Sequence, residues 1–230
     1  MKIGFDADNT ETTVCDTVYW EKKNIGAGLL LYAYGTAPVQ HAVFTTGCKE
    51  AVKYMKRRIE EQIVAVYCDD GAADVQYAAA KIMDVFQECN SQIYEMKSFL
   101  GQGIYIGGAV AYTVGSKYIL FPFGGGRAYI WNGVIMMPQG DPPAADGIIR
   151  DAVGAMKTWP GQCWTGTLLE DSRLILTSSL LPKLDFPEFF RSDDNSHVNT
   201  PAMRLRRELE KINPEFSAVV DIHNNREEAL

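Results

Sequence analysis

A few groups of residues could do chemistry by their type and spacing. Asp6, Asp8 and Glu11 form an acidic cluster after a strand-like start; the residues by themselves favour an acidic turn between strands. Lys53, Lys56, Arg57 and Arg58 gather four positive charges that could hold a phosphate group, but Glu60 and Glu61 follow directly, so a solvated helix face is the preferred reading. Gly124 to Gly126 could cradle a phosphate as well. No helix N-terminus follows to supply a dipole and N–H groups, so close backbone packing in a sheet is expected instead. The run Gly101-Gln-Gly103-Ile-Tyr-Ile-Gly107-Gly108 also opens no helix, which argues against a dinucleotide loop. His41, His197 and His223 lack ligand spacing. The five cysteines are odd in number, far apart and without a C-x-x-C pair, which argues against a zinc knuckle or a disulfide framework. No G-x-S-x-G elbow is present.

The elements that must position such residues follow from periodicity. Ala109–Val114 and Lys117–Phe123 are apolar runs joined by Gly115-Ser116, and Arg127–Trp131 is a third that stops at Asn132-Gly133. β-branched and aromatic residues dominate, and Gly-Ser and Asn-Gly pairs are hairpin turns, so the stretch predicts a three-stranded meander. Asp16–Trp20 and Gly28–Tyr34 predict two more strands around a turn at Glu21–Gly26. Val52, Met55 and Ile59 set a helix over 47–61; Val75, Ala79, Ile82 and Phe86 set another over 73–97, with 62–72 as the connection. Residues 138–147 read as a loop and 183–200 as a polar, mobile stretch. Ala202, Leu205, Leu209 and Ile212 mark a last amphipathic helix that Asn213-Pro214 ends.

Composition bounds the function. At 230 residues, 47% hydrophobic and 22% charged, the chain suits one globular domain. A net charge of −7 and a pI near 5.0 argue against a nucleic-acid binder. No apolar run approaches the roughly 20 residues of a membrane span, so no membrane partner is expected. The start turns acidic at once, unlike a secretory signal. The scattered cysteines fit a reducing, cytoplasmic location.

Phe123-Gly-Gly-Gly-Arg-Ala-Tyr-Ile-Trp-Asn-Gly133 resembles the GDSR-type strand of the metal-dependent serine/threonine protein phosphatases (PPM type). Gly124, Arg127, Ala128, Tyr129, Trp131 and Gly133 agree, while Gly125 and Gly126 replace the family's Asp and Ser. Leu168–Leu181 resembles the family's LxxGDRLLLCSDGL, with Ser179 and Leu180 in place of the metal-binding Asp and its Gly. Asn90-Ser-Gln-Ile-Tyr94 resembles the ANxxIY segment, Ile148–Gly154 the VLTRALG segment, and Glu215–Ile222 the closing DNITVIVV strand. Asp16 falls where the NED aspartate would sit, and Ala33-Tyr34-Gly35 falls on the ADG, with tyrosine for aspartate. Asp70-Gly71 is a better ADG by itself, but only the register on Tyr34 leaves room for the family's two helices before Gly108.

The resemblance implies a mixed α/β fold, a four-layer α/β/β/α sandwich with two antiparallel sheets, as one domain over 1–223 with 224–230 as a frayed tail. Active members hold two divalent cations that turn a bridging water into a nucleophile and neutralise phosphoryl charge. On the matching positions this chain keeps Asp16 and Glu215 as a weak metal site, and has Tyr34, Gly35 and Ser179 as degenerate metal positions. The family's phosphate-binding arginine near the N-terminus has no counterpart, since the first arginine is Arg57. The expected function is therefore a catalytically inactive, phosphatase-like binding or regulatory module, with no cofactor and with a protein kinase or a phosphoprotein as partner. The alternative is an active protein phosphatase with Mg²⁺ or Mn²⁺ on a divergent set such as Asp16, Asp69, Asp70 and Glu215. A further alternative rests on Ile3-Gly-Phe-Asp-Ala-Asp-Asn-Thr10, which resembles the first motif of the haloacid-dehalogenase-type phosphatases, with Asp6 as nucleophile and Asp8 as general acid/base. That reading needs a doubly wound parallel sheet, and strands and helices do not alternate as such a sheet requires.

Overall fold

The computed structural model describes residues 2–7, 14–22, 25–35, 42–68, 74–100, 103–133, 136–139, 151–191, 200–213 and 217–224. Three strands come first: β1 (Lys2–Ala7), β2 (Val14–Lys22) and β3 (Ile25–Gly35). Two long helices follow, α1 (Ala42–Cys68) and α2 (Val75–Leu100). Then come β4 (Ile104–Val114), β5 (Lys117–Phe123), β6 (Arg127–Trp131) and β7 (Met136–Gln139). The rest is β8 (Trp164–Thr167), β9 (Arg173–Thr177), α3 (Phe186–Arg191), α4 (Thr200–Glu210) and β10 (Ala218–His223). Two five-stranded sheets result, in the orders β2-β3-β4-β5-β8 and β1-β10-β9-β6-β7, and every strand pair is antiparallel.

Side-chain alternation divides the core into layers. Leu29, Leu31 and Ala33 of β3, with Val110 and Tyr112 of β4 and Phe121 and Phe123 of β5, pack under α1 and α2. The intervening Leu30, Tyr32, Ala109, Ala111 and Leu120 turn inward and meet Ala128, Leu174, Leu176, Val220 and Ile222 of the other sheet. The outer face of that sheet, Tyr129, Trp131, Ile175 and Val219, is covered by Leu205 and Leu209 of α4 and by the α3 phenylalanines. The central strands are thus buried on both faces, which is why they read as unbroken apolar runs rather than alternating ones. The outcome is the expected α/β/β/α sandwich.

The meander is corrected. The β4–β5 hairpin turns at Gly115-Ser116 as expected, and β6–β7 pair beyond Asn132-Gly133. But β6 does not pair with β5; it lies in the opposite sheet beside β9. The chain crosses between sheets at Gly124–Gly126, in a tight turn closed by Gly126 N–H donating to the Phe123 carbonyl at 2.9 Å. A Cβ on Gly126 would lie 1.9 Å from the Gly108 oxygen, and one on Gly124 would lie 2.5 Å from the Gly107 Cα. Gly124 and Gly126 therefore make a close backbone crossing that leaves no room for a side chain at either position.

Two further expectations change. α1 does not end near residue 61: Ile63 extends the buried series Met55, Ile59, and the helix runs on to Cys68. Residues 183–191 are not a mobile polar stretch either. Leu184, Phe186, Phe189 and Phe190 pack on the outer core, with Phe190 against Trp131 at 5.4 Å. The Arg173 guanidinium lies 4.8 Å from the Phe190 ring and forms a buried ion pair with Asp221 across β9 and β10.

Two segments that carried the resemblance meet on α2. Buried Asn90 donates through Nδ2 to the Met156 carbonyl at 3.0 Å and accepts from Gly154 N–H at 2.9 Å. The same loop bridges to β4 through Val153 and Ile106, and Trp159 stacks on Phe86 at 4.5 Å.

Candidate functional site

One end of the sandwich gathers the end of β3, the start of β4, the Gly124–Gly126 crossing, the turn after β9 and the start of β10. Tyr32 joins them. Its hydroxyl donates to the Gly124 carbonyl at 2.9 Å and faces the Ser178 carbonyl at 3.3 Å. Its ring lies against Gly107, where a Cβ would come within 2.8 Å of it. The turn after β9 is held from several sides. Ser178 N–H donates to the Ala218 carbonyl, and Ser178 Oγ accepts from Ala218 N–H at 3.0 Å. Thr177 Oγ1 donates to the Ser179 carbonyl at 2.6 Å, and Leu181 N–H donates to the Tyr129 hydroxyl at 3.0 Å. Burial is the main cause that pushes the Tyr129 hydroxyl above its ordinary pKa, so it stays a neutral anchor. Within this rigid turn the buried Ser179 Oγ has no hydrogen-bond partner among the described residues.

No protein-family model matches the chain, and no curated protein sequence matches it significantly. Solved structures do. The S. agalactiae serine/threonine phosphatase superposes with a TM-score of 0.68 at 13% identity, covering 96% of this chain and 98% of that one. The chain has the PPM phosphatase fold. A second PPM-fold structure, the catalytic domain of the serine/threonine protein phosphatase PstP in complex with two manganese ions, matches at 16% identity and a TM-score of 0.61, covering 96% of this chain and 97% of that one. A third is PppA, a key regulatory component of T6SS in Pseudomonas aeruginosa, at 12% identity and a TM-score of 0.62, covering 96% and 98%.

Within the PPM fold the positions marked in the sequence lie as follows. Tyr34 and Gly35 end β3, in register with Tyr105 and Ile104, two and three residues beyond Tyr32. Ser179 sits in the turn that Tyr32 reaches. Asp16 lies on β2 in register with Leu31, while its neighbour Cys15 is the residue opposite Tyr32. Glu215, Asp69 and Asp70 lie outside the described residues, as does Asp8. Asp6 is the last residue but one of β1, an edge strand of an antiparallel sheet, and takes a 2.6 Å hydrogen bond from Arg206 Nε of α4. The dehalogenase-like reading needed a central parallel strand and is corrected: Asp6 is a partner that ties β1 to α4.

Tyr32 was missed. The signal was available, because Leu30 and Tyr32 share one face of β3 by their spacing of two, and a tyrosine on a face between two sheets must find a hydrogen bond. Among the described residues no three His, Cys, Asp or Glu side chains converge as a metal site would need. Hard dications require several oxygens, mainly carboxylate. Of the four positions that the resemblance assigns, two carry the neutral hydroxyls of Tyr34 and Ser179; the side chains of Asp16 and Tyr34, like Glu215, lie outside the described residues.

Proposed function

We propose that this chain is a catalytically inactive PPM-fold protein that acts as a binding or regulatory module. The observation that carries the reading is the Tyr32 bridge. It ties Gly124 to the turn at Ser178-Ser179 through a neutral hydroxyl, next to Ser179, where the resemblance expects an aspartate and this chain has a second neutral hydroxyl. Two carboxylates against two dications would leave charge repulsion that a cleft screens weakly. The absence of a phosphate-binding arginine at the matching position near the N-terminus removes the anchor for a phosphoryl group. PppA, a regulatory component, has the same fold. The partner class proposed is a protein kinase or a phosphoprotein, met in the cytoplasm.

The test is an aryl phosphate and phosphopeptide assay with Mn²⁺ or Mg²⁺, run beside affinity capture from the source cell. The expected result is no turnover above buffer, together with reproducible recovery of a kinase or phosphoprotein. Steady turnover that is lost in Asp16→Asn would instead establish an active enzyme on a divergent metal set.

A further inference from the structure

α1 and α2 lie side by side on the outer face of the first sheet, and a groove of about 470 Å³ opens between them. Ala51 of α1 and Ile93 of α2 are both buried, and with Met96 they line its apolar base. Tyr54 forms a wall, and Lys53 and Arg57 stand at the rim. A volume of this size is in the range of ligand pockets and holds one large side chain with room to spare.

The lining carries two cations, Lys53 and Arg57, against one acid, Glu50, in an acidic protein. Residues 49–58 hold five basic side chains and one acidic one, in a chain of net charge −7. Lys49, Lys53 and Arg57 recur every four residues, so they form one stripe along α1. The acids near the groove are mostly engaged. Glu50 pairs with Lys53 at 3.0 Å. Glu61 lies 3.8 Å from Arg57 but pairs more closely with Arg58. Glu88 accepts from Arg58 at 2.7 Å and from the Tyr54 hydroxyl at 3.3 Å. Lys53 and Arg57 keep side chains that are each 66% exposed.

We infer that this groove docks an acidic peptide segment of a protein partner, with one large apolar side chain on Ala51, Ile93 and Met96 and carboxylates against Lys53 and Arg57. The apolar seat supplies the affinity, and the basic stripe supplies the selection against basic segments and speeds encounter. A chain that is elsewhere acidic repels such a segment from its remaining surface, so the stripe also sets the place of docking. The inference uses none of the residues at the sandwich end and stands whether or not the chain turns over phosphate.

The test records amide spectra of the isotope-labelled full chain while a short peptide with a tryptophan flanked by glutamates is added. Saturable shifts are expected at Ala51, Tyr54, Ile93 and Met96, weakening steeply with salt. Arg57→Glu should weaken binding about tenfold, as reversal of one exposed contact allows. Gln92→Trp, which places a ring at the mouth of the groove, should abolish it. Lys53→Glu serves as a second charge reversal should Arg57→Glu disturb the fold. The inference is overturned by no shifts at millimolar peptide, by shifts indifferent to both charge reversals, or by equal shifts with a lysine-flanked peptide or an oligothymidine.

Discussion

Replacing Tyr32 by phenylalanine removes one oxygen and leaves the ring in place. That oxygen donates a single hydrogen, held chiefly by the Gly124 carbonyl at 2.9 Å, with the Ser178 carbonyl at 3.3 Å as the longer and weaker contact. The ring keeps its contacts with the inner core, so no apolar area is lost and the effect isolates the hydroxyl. A buried hydrogen bond contributes about 0.5–1.5 kcal/mol net, and a buried carbonyl that loses one donor adds to the loss. The expected destabilisation is therefore about 1–2 kcal/mol, which in a domain of this size lowers Tm by about 2–8 °C. Urea unfolding followed by tryptophan fluorescence measures it: the midpoint should fall while the m-value stays constant. A variant as stable as the parent, or more stable, would refute the argument that this hydroxyl ties the crossing to the turn after β9.

Gly126→Ala should unfold the chain or cost upwards of about 3 kcal/mol by the same urea assay, because its Cβ would lie 1.9 Å from the Gly108 oxygen and both partners are backbone. Asp221→Ala leaves Arg173 buried without the carboxylate it pairs with, and about 3–5 kcal/mol should be lost; a change under about 1 kcal/mol would contradict that. The hydrogen bond from Arg58 holds the Glu88 carboxyl below its ordinary pKa. Its contribution is therefore complete above the unfolded value of about 4.3 and is lost as pH falls through the lower folded value. Wild type should exceed Glu88→Gln in stability at neutral pH by about 0.3 kcal/mol, the scale of an exposed pair, and the two should converge in acid.

The layers were legible because a strand buried on both faces leaves a run with no polar alternation, as in Leu29–Ala33 and Ile119–Phe123. The pairing of β6 was not. Gly124–Gly126 between two apolar runs looks like any hairpin turn, and only the distant Gly108, pressed against Gly126, shows that the chain passes between sheets. α1 was read short because Ile63–Tyr67 is rich in β-branched residues, which local propensity assigns to strands; packing of Ile63 one turn beyond Ile59 overrides it. The α3 phenylalanines were lost among the acids, serines and prolines around them. At the candidate site the Ser178-Ser179 turn and the end of β3 were located by resemblance, but the residue that joins them, Tyr32, is two places from the one singled out, Tyr34. Motif matching marks positions; the hydrogen bonds of the Tyr32 hydroxyl show which residue spans them.

On the proposed function, this PPM-fold sandwich holds no catalytic metal pair. Titration calorimetry with Mn²⁺ addresses it most directly. No micromolar binding and no second site at millimolar metal are expected. Two micromolar sites, both abolished by Asp16→Ala, would contradict that and make the chain a divergent metal enzyme.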